Sequence, residues 1–392
     1  MTDATALEKR IRRHVIGPPQ RFFAATAQGI EPICAAELAR HLPGVQAQVV
    51  PGGVSFNGRL DDGFQANLML RSANRVLMRI ARFGASRFDQ LERALAAIAW
   101  ELYLYRETPV VARVAAHKSR LHHGGAIGER LAAAVAERRL ATVFASREAA
   151  AQLPQAVFVR AHHDRFTVSL DTSGDLLHKR GLKTDVGPAP LRETLAAAIL
   201  EQVGYTGDTP LLDPMCGAGT FLAEAAMSAC RIPPGWYRDF AFTRWPAFRP
   251  RRWAYLRRTV AALRRPAPAP IRGFDQDPAA CRRVEAALAR GGLADAVTLQ
   301  CRDFFDLDPA ALGPVPGVVV VNPPYGKRLG SAPESRVLFG RIVDRLIRCY
   351  AGWTLALIAP PGAEHLAPPG LTAHPFRHGG LDLHLFTGTL PR

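Results

Sequence analysis

The chain has 392 residues, 48% of them hydrophobic, and a formal charge of +16. That length predicts two or three domains with ample apolar content for packed cores, and the excess of Lys and Arg points to a polyanionic partner, foremost nucleic acid. No apolar run reaches the roughly 18 residues of a membrane span, the first twenty residues lack a signal-peptide core, and the six scattered cysteines form no Cys-x-x-Cys pair. A membrane protein, a disulfide framework and a zinc site are therefore not expected, and a reducing cytoplasm is.

Residues 1–20 carry Lys9, Arg10, Arg12 and Arg13 and read as a basic, flexible arm. Strand character begins at Phe22–Ala27, followed by an amphipathic helix over Glu31–His41 and a turn and strand at Gly52–Phe56. A helix over Asp61–Leu70, a strand over Arg75–Phe83 and a helix over Phe88–Ala99 complete a small α+β region. Next come a strand at Pro109–Ala116, a basic loop His117–His123, a helix at Ala126–Arg138 and two strands at Ala156–Ala161 and Arg165–Asp171. Lys118 and Arg120 in the basic loop are candidates for phosphate contacts, with a solvated loop as the equal alternative. The neighbouring histidines lack metal-ligand spacing. Asp175–Gly187, with His178, Lys179, Arg180 and Lys183, reads as a junction between a front and a back half.

The back half alternates strands and helices. A helix starts near Pro190. Leu211-Leu212 ends a strand, and Asp213-Pro214-Met215-Cys216-Gly217-Ala218-Gly219-Thr220 leads into a helix. A strand, a Gly-x-Gly turn and a helix make a mononucleotide-binding corner. Leu222 occupies the third glycine position of the dinucleotide fingerprint, and the phosphate-loop Lys is absent. Asp213 beside the glycines suits a cationic ammonium better than a pyrophosphate, which favours S-adenosylmethionine over NAD. A second strand ends at Asp275-Gln276-Asp277, where a carboxylate is placed to accept ribose hydroxyls. Between these strands lies an insertion, residues 231–270, in which Arg251, Arg252 and other arginines are interleaved with aromatics. That composition suits an RNA strand with unstacked bases, with a packed helical insertion as the competing reading. A third strand, Val297–Cys301, ends at Asp303-Phe304. The fourth is the run Val318–Val321, a buried parallel strand by its composition, and it stops at Asn322-Pro323-Pro324-Tyr325. Two more strands, Thr354–Ile358 and Leu381–Phe386, follow, and Asp344 and Arg345 on the helix between read as surface residues.

Asp213–Gly219, Asp275, Asp303 and Asn322–Tyr325 match in order the motifs of an amino-methylating class I S-adenosylmethionine-dependent methyltransferase. The segments Phe22–Arg40, Gly52–Phe56, Ser119–Arg138 and Ser169–Lys183 resemble the ferredoxin-like and THUMP domains of RNA methyltransferases. Nearly the whole chain after residue 20 is most similar to the RlmL-type rRNA guanine-N2 methyltransferase family. The resemblance implies an α/β architecture: a Rossmann-like class I sheet over 176–392, preceded by a ferredoxin-like domain over 21–70 and a THUMP RNA-binding domain over 71–175. It implies that Asp213, Met215, Cys216, Gly217, Ala218, Gly219 and Thr220 hold the methionine end of the cofactor, Asp275 and Gln276 the ribose, and Asp303 and Phe304 the adenine. Asn322 and the Pro323 carbonyl would polarise the acceptor amine and Tyr325 would stack on a flipped-out base. Lys118, Arg120, Lys179, Arg180, Arg251 and Arg252 are the expected RNA contacts, and no metal and a monomer are expected. Many family members carry a second methyltransferase domain after this point, and single-headed relatives methylate tRNA, so rRNA and tRNA both stay open.

Three other readings share part of this pattern. DNA adenine-N6 and glutamine-N5 protein methyltransferases use Asn-Pro-Pro-Tyr, but neither calls for the THUMP-like front. A non-catalytic RNA-binding protein would not need Asp213, Gly217, Gly219, Asp275 and Asn322 together.

Overall fold

The computed structural model describes residues 3–139, 154–183, 191–309, 315–324, 332–359, 361–378 and 381–391. The chain forms two compact units. The first takes Met1–Thr26, Cys34–Leu177 and Asp239–Arg258, and the second takes Ala27–Ile33, His178–Arg238 and Thr259–Arg392.

The first unit begins with helix α1 (Asp3–Ile11), which continues as a wide π-type turn over Arg12–Ile16. The expected flexible arm is therefore ordered. Leu7, Ile11 and Val15 recur at four-residue spacing and are buried in the unit's core, while the charges face outward. The elements that follow are β1 (Gln20–Ala25), α2 (Glu31–His41), β2 (Gln46–Val50), β3 (Gly53–Gly58), α3 (Leu60–Met69), β4 (Arg75–Gly84) and α4 (Phe88–Ala96). Then come β5 (Val110–His117), α5 (Gly124–Arg139), β6 (Gln155–His162) and β7 (Arg165–Asp171). All seven strands form one sheet in the order β2-β3-β1-β4-β7-β6-β5. Two domains were expected on either side of residue 70, but the hydrogen bonding is continuous there. Strand β4 pairs with β1 on one side and with β7 on the other.

The insertion contributes to this unit. Phe240, Phe242 and Trp245 are buried in the same core. Phe242 stacks on Phe64 at 3.9 Å between ring centroids, and Trp245 Nε1 donates to Gln155 Oε1 at 2.8 Å. These rings are packed core residues and do not offer faces to bases.

The second unit contains α6 (Glu193–Gln202), β8 (Leu211–Asp213), α7 (Thr220–Ala229) and β9 (Ile271–Asp275); α8 (Pro250–Ala261), in the insertion, belongs mostly to the first unit. It continues with α9 (Pro278–Arg290), β10 (Val297–Cys301), β11 (Val318–Val321), α10 (Ala332–Cys349), β12 (Thr354–Ala359), β13 (Thr372–His378) and β14 (Leu381–Thr389). The sheet order is β10-β9-β8-β11-β12-β14-β13, parallel from β10 to β12, with β14 antiparallel to both neighbours. The four valines of β11 explain their own composition. Val318 and Val320 enter one core layer with Leu222, Ala226 and Val284, and Val319 and Val321 enter the other with Phe339, Ile342 and Leu346. A strand covered on both faces needs apolar side chains at every position.

Arg345 departs from the surface role expected of it. Its guanidinium donates to the Leu307 carbonyl and lies 5.5 Å from the Phe304 ring centroid, tying α10 to the segment after β10.

Candidate active site

Strands β8, β9 and β10 run outward in one direction, and β11 lies on the opposite side of β8. This is a topological switch point, where an open α/β sheet leaves a crevice beyond its carboxyl ends. A cavity of about 870 Å³ occupies that position. Its lining includes Asp213 at the end of β8 with Met215, Cys216, Gly217, Ala218 and Thr220 beyond it, Asp275 at the end of β9 with Gln276 beyond it, Asp303 and Phe304 after β10, and Asn322 and Pro324 after β11. Four sequence-distant segments thus meet because each follows a parallel strand.

The polar groups fall into two kinds. Some are engaged. Asp275 Oδ2 accepts from the Gly217 N–H at 2.7 Å and its Oδ1 from the Asp277 N–H at 2.9 Å, so this carboxylate also shapes the glycine turn. Asp303 Oδ1 accepts from the Phe305 N–H at 2.8 Å. Others are waiting. Asp213 is 1% exposed, and among the described residues its Oδ1 is buried without a donor, as is Asn322 Oδ1. Burial pushes the Asp213 carboxyl well above the usual carboxylate range, opposed by the Met215 N–H and reinforced by Asp275. Orphaned buried acceptors are rare and costly, and two on one cavity call for a ligand that donates hydrogen bonds. Cys216 is buried and its thiol is pushed strongly up, which makes it a packing residue and no nucleophile.

The glycines act differently from one another. Gly217 has φ +52° and open space where a Cβ would stand. Gly219 has φ +65° and caps α7, and a Cβ there would lie 2.7 Å from both methyls of Val284 on α9. Leu222, at the absent third glycine, packs against Gly273 of β9, where an added Cβ would come within 2.3 Å of it. The close helix–strand approach is kept, with its small residue moved to the strand.

Several lining residues carried no sequence signal: Leu191, Arg283, Phe305, Leu338 and Arg341. The Arg341 guanidinium sits 4.3 Å from the Phe305 ring centroid. Helical spacing on α10 does not announce which residues face a cavity. Phe304, expected beside adenine, is 2% exposed and largely in the core against Tyr350. Pro323 is buried at the end of β11, and Tyr325 lies outside the described residues.

Of the expected RNA contacts, Lys118, Arg120, Lys179 and Arg251 are exposed. Arg120 holds Asp164 through its backbone N–H at 2.7 Å. Arg252 is half-exposed and pairs with Asp61. Arg180 must be corrected: it is buried, and its Nε donates to the equally buried Glu224 of α7 at 2.8 Å, so it cannot meet a phosphate. Tyr255, which the sequence did not single out, is 66% exposed on α8, one turn from Arg251. Among the described residues no three His, Cys, Asp or Glu side chains form a metal site, and no helix is long and apolar enough to cross a membrane.

Comparison with known proteins agrees with this geometry. Residues 180–363 match a family model described as "RMKL-like, methyltransferase domain", and residues 21–77 match the "RlmL ferredoxin-like domain". The "Putative RNA methyltransferase slr0064" of Synechocystis is 32% identical over 85% of this chain and 86% of its own length. The chain belongs to the RMKL-like methyltransferase family. Within it, "Ribosomal RNA large subunit methyltransferase K/L" of Syntrophotalea carbinolica is 34% identical over 91% of the chain but 51% of its own length. The RMKL-like chain thus spans about half the length of such curated relatives. Among solved structures, SMU.472 complexed with SAH superposes with a TM-score of 0.84 at 27% identity, covering 96% of this chain and 100% of that one. The second unit accordingly has the class I methyltransferase fold, and the first contains a ferredoxin-like domain.

Proposed function

We propose that this chain methylates an exocyclic amine of an RNA base, guanine N2 in ribosomal RNA, with S-adenosylmethionine as donor. The observation that carries the reading is the pair of orphaned buried acceptors, Asp213 Oδ1 and Asn322 Oδ1, on one cavity at the switch point. When bound, S-adenosylmethionine supplies a methyl group activated by its sulfonium. Asp213 accepts from the cofactor's ammonium, and the Gly217–Gly219 turn leaves room for its methionine end. Asp275 retains lone pairs for ribose hydroxyls beyond those given to Gly217 and Asp277. Asp303 and Phe305 border the adenine.

Asn322 Oδ1 and the Pro323 carbonyl accept the two N–H hydrogens of the target amine. That draws the nitrogen out of conjugation with its ring and frees its lone pair for in-line attack. A preorganised acceptor of this kind contributes about 10²–10³ in rate. Lys118, Arg120, Lys179 and Arg251 offer charge to the RNA backbone, and Tyr255 beside Arg251 offers a ring face to an unpaired base.

The test measures S-adenosylhomocysteine binding by calorimetry and identifies the methylated nucleoside by mass spectrometry after reaction with rRNA and with tRNA. N2-methylguanosine in rRNA is the expected product. N6-methyladenosine would reject the guanine assignment, and product in tRNA alone would reject rRNA. Asn322→Ala is expected to keep the cofactor's Kd and lose about 10²–10³ in kcat. Full activity in that variant would remove Asn322 from the mechanism.

A further inference from the structure

Cys281 and Cys301 are distant in sequence and belong to different elements, yet the fold brings them to one turn. Cys281 sits in the first turns of α9, and Cys301 ends β10, opposite Asp275 in the parallel register. Their sulfurs reach consecutive carbonyls of the segment after β9. Cys281 Sγ lies 3.6 Å from the Asp275 oxygen, and Cys301 Sγ lies 3.7 Å from that of Gln276. The two side chains thus adjoin on one turn, and each thiol lies within the electrostatic influence of the other. Cys301 is exposed and Cys281 is buried. Burial, with Cys301 adding to it, pushes the Cys281 thiol up to about 11, so the solvent-facing sulfur is the one placed to react first with an oxidant. The other exposed thiol, Cys349, lies on α10 and is not part of this group.

We propose that Cys281 and Cys301 form a peroxide-reactive dithiol, a reversible modification site built into the turn that carries Asp275 and Gln276. Its consequence for the cofactor rests on the preceding reading of that turn; the chemistry of the pair does not. The Cys301 thiolate attacks one oxygen of hydrogen peroxide. The O–O bond breaks, and Cys301 becomes a sulfenic acid with release of hydroxide. The Cys281 sulfur then attacks the sulfenic sulfur. The S–S bond forms, and the sulfenic hydroxyl leaves as water with the Cys281 proton, so two electrons have passed from the thiols to peroxide. A disulfide holds its sulfurs about 2 Å apart, closer than two unbonded thiols can approach. At least one sulfur therefore leaves its carbonyl, Asp275 for Cys281 or Gln276 for Cys301, and the turn presenting the ribose-side carboxylate is displaced.

The experiment treats the reduced full-length chain with hydrogen peroxide, maps disulfides by peptide mass spectrometry and measures S-adenosylhomocysteine binding before oxidation, after it and after dithiothreitol. The expected result is a Cys281–Cys301 cross-linked peptide two hydrogens lighter than the separate thiols, with affinity weakened several-fold and restored by reductant. Cys301→Ser is expected to bind like wild type when reduced and to keep that affinity under peroxide. Should that variant not fold, Cys281→Ser serves instead, stopping at a sulfenic acid that dimedone traps at Cys301. Absence of the cross-link overturns the proposal, and a cross-link with unchanged affinity overturns its effect on the cofactor turn. Failure of the reduced wild type to bind S-adenosylhomocysteine counts against the cofactor reading, and the cross-link is scored without it.

Discussion

The two glycines of the cofactor turn make unlike demands, and alanine at each separates them. Both have left-handed backbones, with φ +52° at Gly217 and φ +65° at Gly219. An L-residue held there loses about 1–2 kcal/mol. At Gly217 that is the whole steric effect, because none of the described residues lies within 4 Å of the added Cβ. At Gly219 the Cβ would stand 2.7 Å from two Val284 methyls. Val284 is 2% exposed and walled in by the core, so overpacking adds about 1–3 kcal/mol. Gly217→Ala should therefore lose about 1–2 kcal/mol of stability and Gly219→Ala about 2–5. Val284→Ala removes both offending methyls. It opens a cavity when made alone, but combined with Gly219→Ala it should recover about 1–3 kcal/mol relative to additivity. Urea unfolding of the wild type and the four variants, with m-values compared to confirm a common denatured state, measures this directly. Equal losses at the two glycines, or a strictly additive double variant, would refute the assignment of Gly219 to helix packing.

Two further outcomes follow from buried charge. In the native state Asp213 keeps its proton at pH values where the unfolded chain, titrating near 3.8, has released it. The native state then binds more protons than the unfolded one. Stability falls as pH rises from about 4 toward the raised native pKa. Asp213→Asn is neutral throughout and should flatten this part of the profile, while weakening S-adenosylhomocysteine binding; an unchanged slope of urea midpoint against pH would exclude Asp213 as its source. Arg180→Met leaves Glu224 buried without its cation and should cost about 3–5 kcal/mol, whereas Arg180→Met with Glu224→Met should regain most of that loss. A double variant no more stable than the single one, by the same unfolding assay, would show that the pair is not the relevant partnership.

The sequence alone determined the order of chemistry along the second unit. Each of Asp213, Asp275, Asp303 and Asn322 ends or follows a strand legible in the sequence, and parallel strands bring such ends to one edge whatever the details of packing. Strands β2 and β13 escaped notice because neither has a clear alternation of buried and exposed apolar residues; β2 is exposed along most of its length. What lies between charge and burial was decided only in three dimensions. The basic residues of the first twenty hid a helix whose Leu7, Ile11 and Val15 stripe is apolar. In the insertion, the same arginine–aromatic alternation that reads as an RNA groove places Phe240, Phe242 and Trp245 inside a core and leaves Tyr255 outside. Arg180 and Lys179 are neighbours in sequence, but one is sealed against Glu224 and the other faces solvent. Cys281 and Cys301 share no spacing motif and meet only because α9 and β10 both pass the turn after β9. Local pattern reports a residue's own element and its period. Which buried partner an Arg finds, which Cβ a Val excludes and which two thiols adjoin depend on contacts between distant segments, and those exist only once the chain has packed.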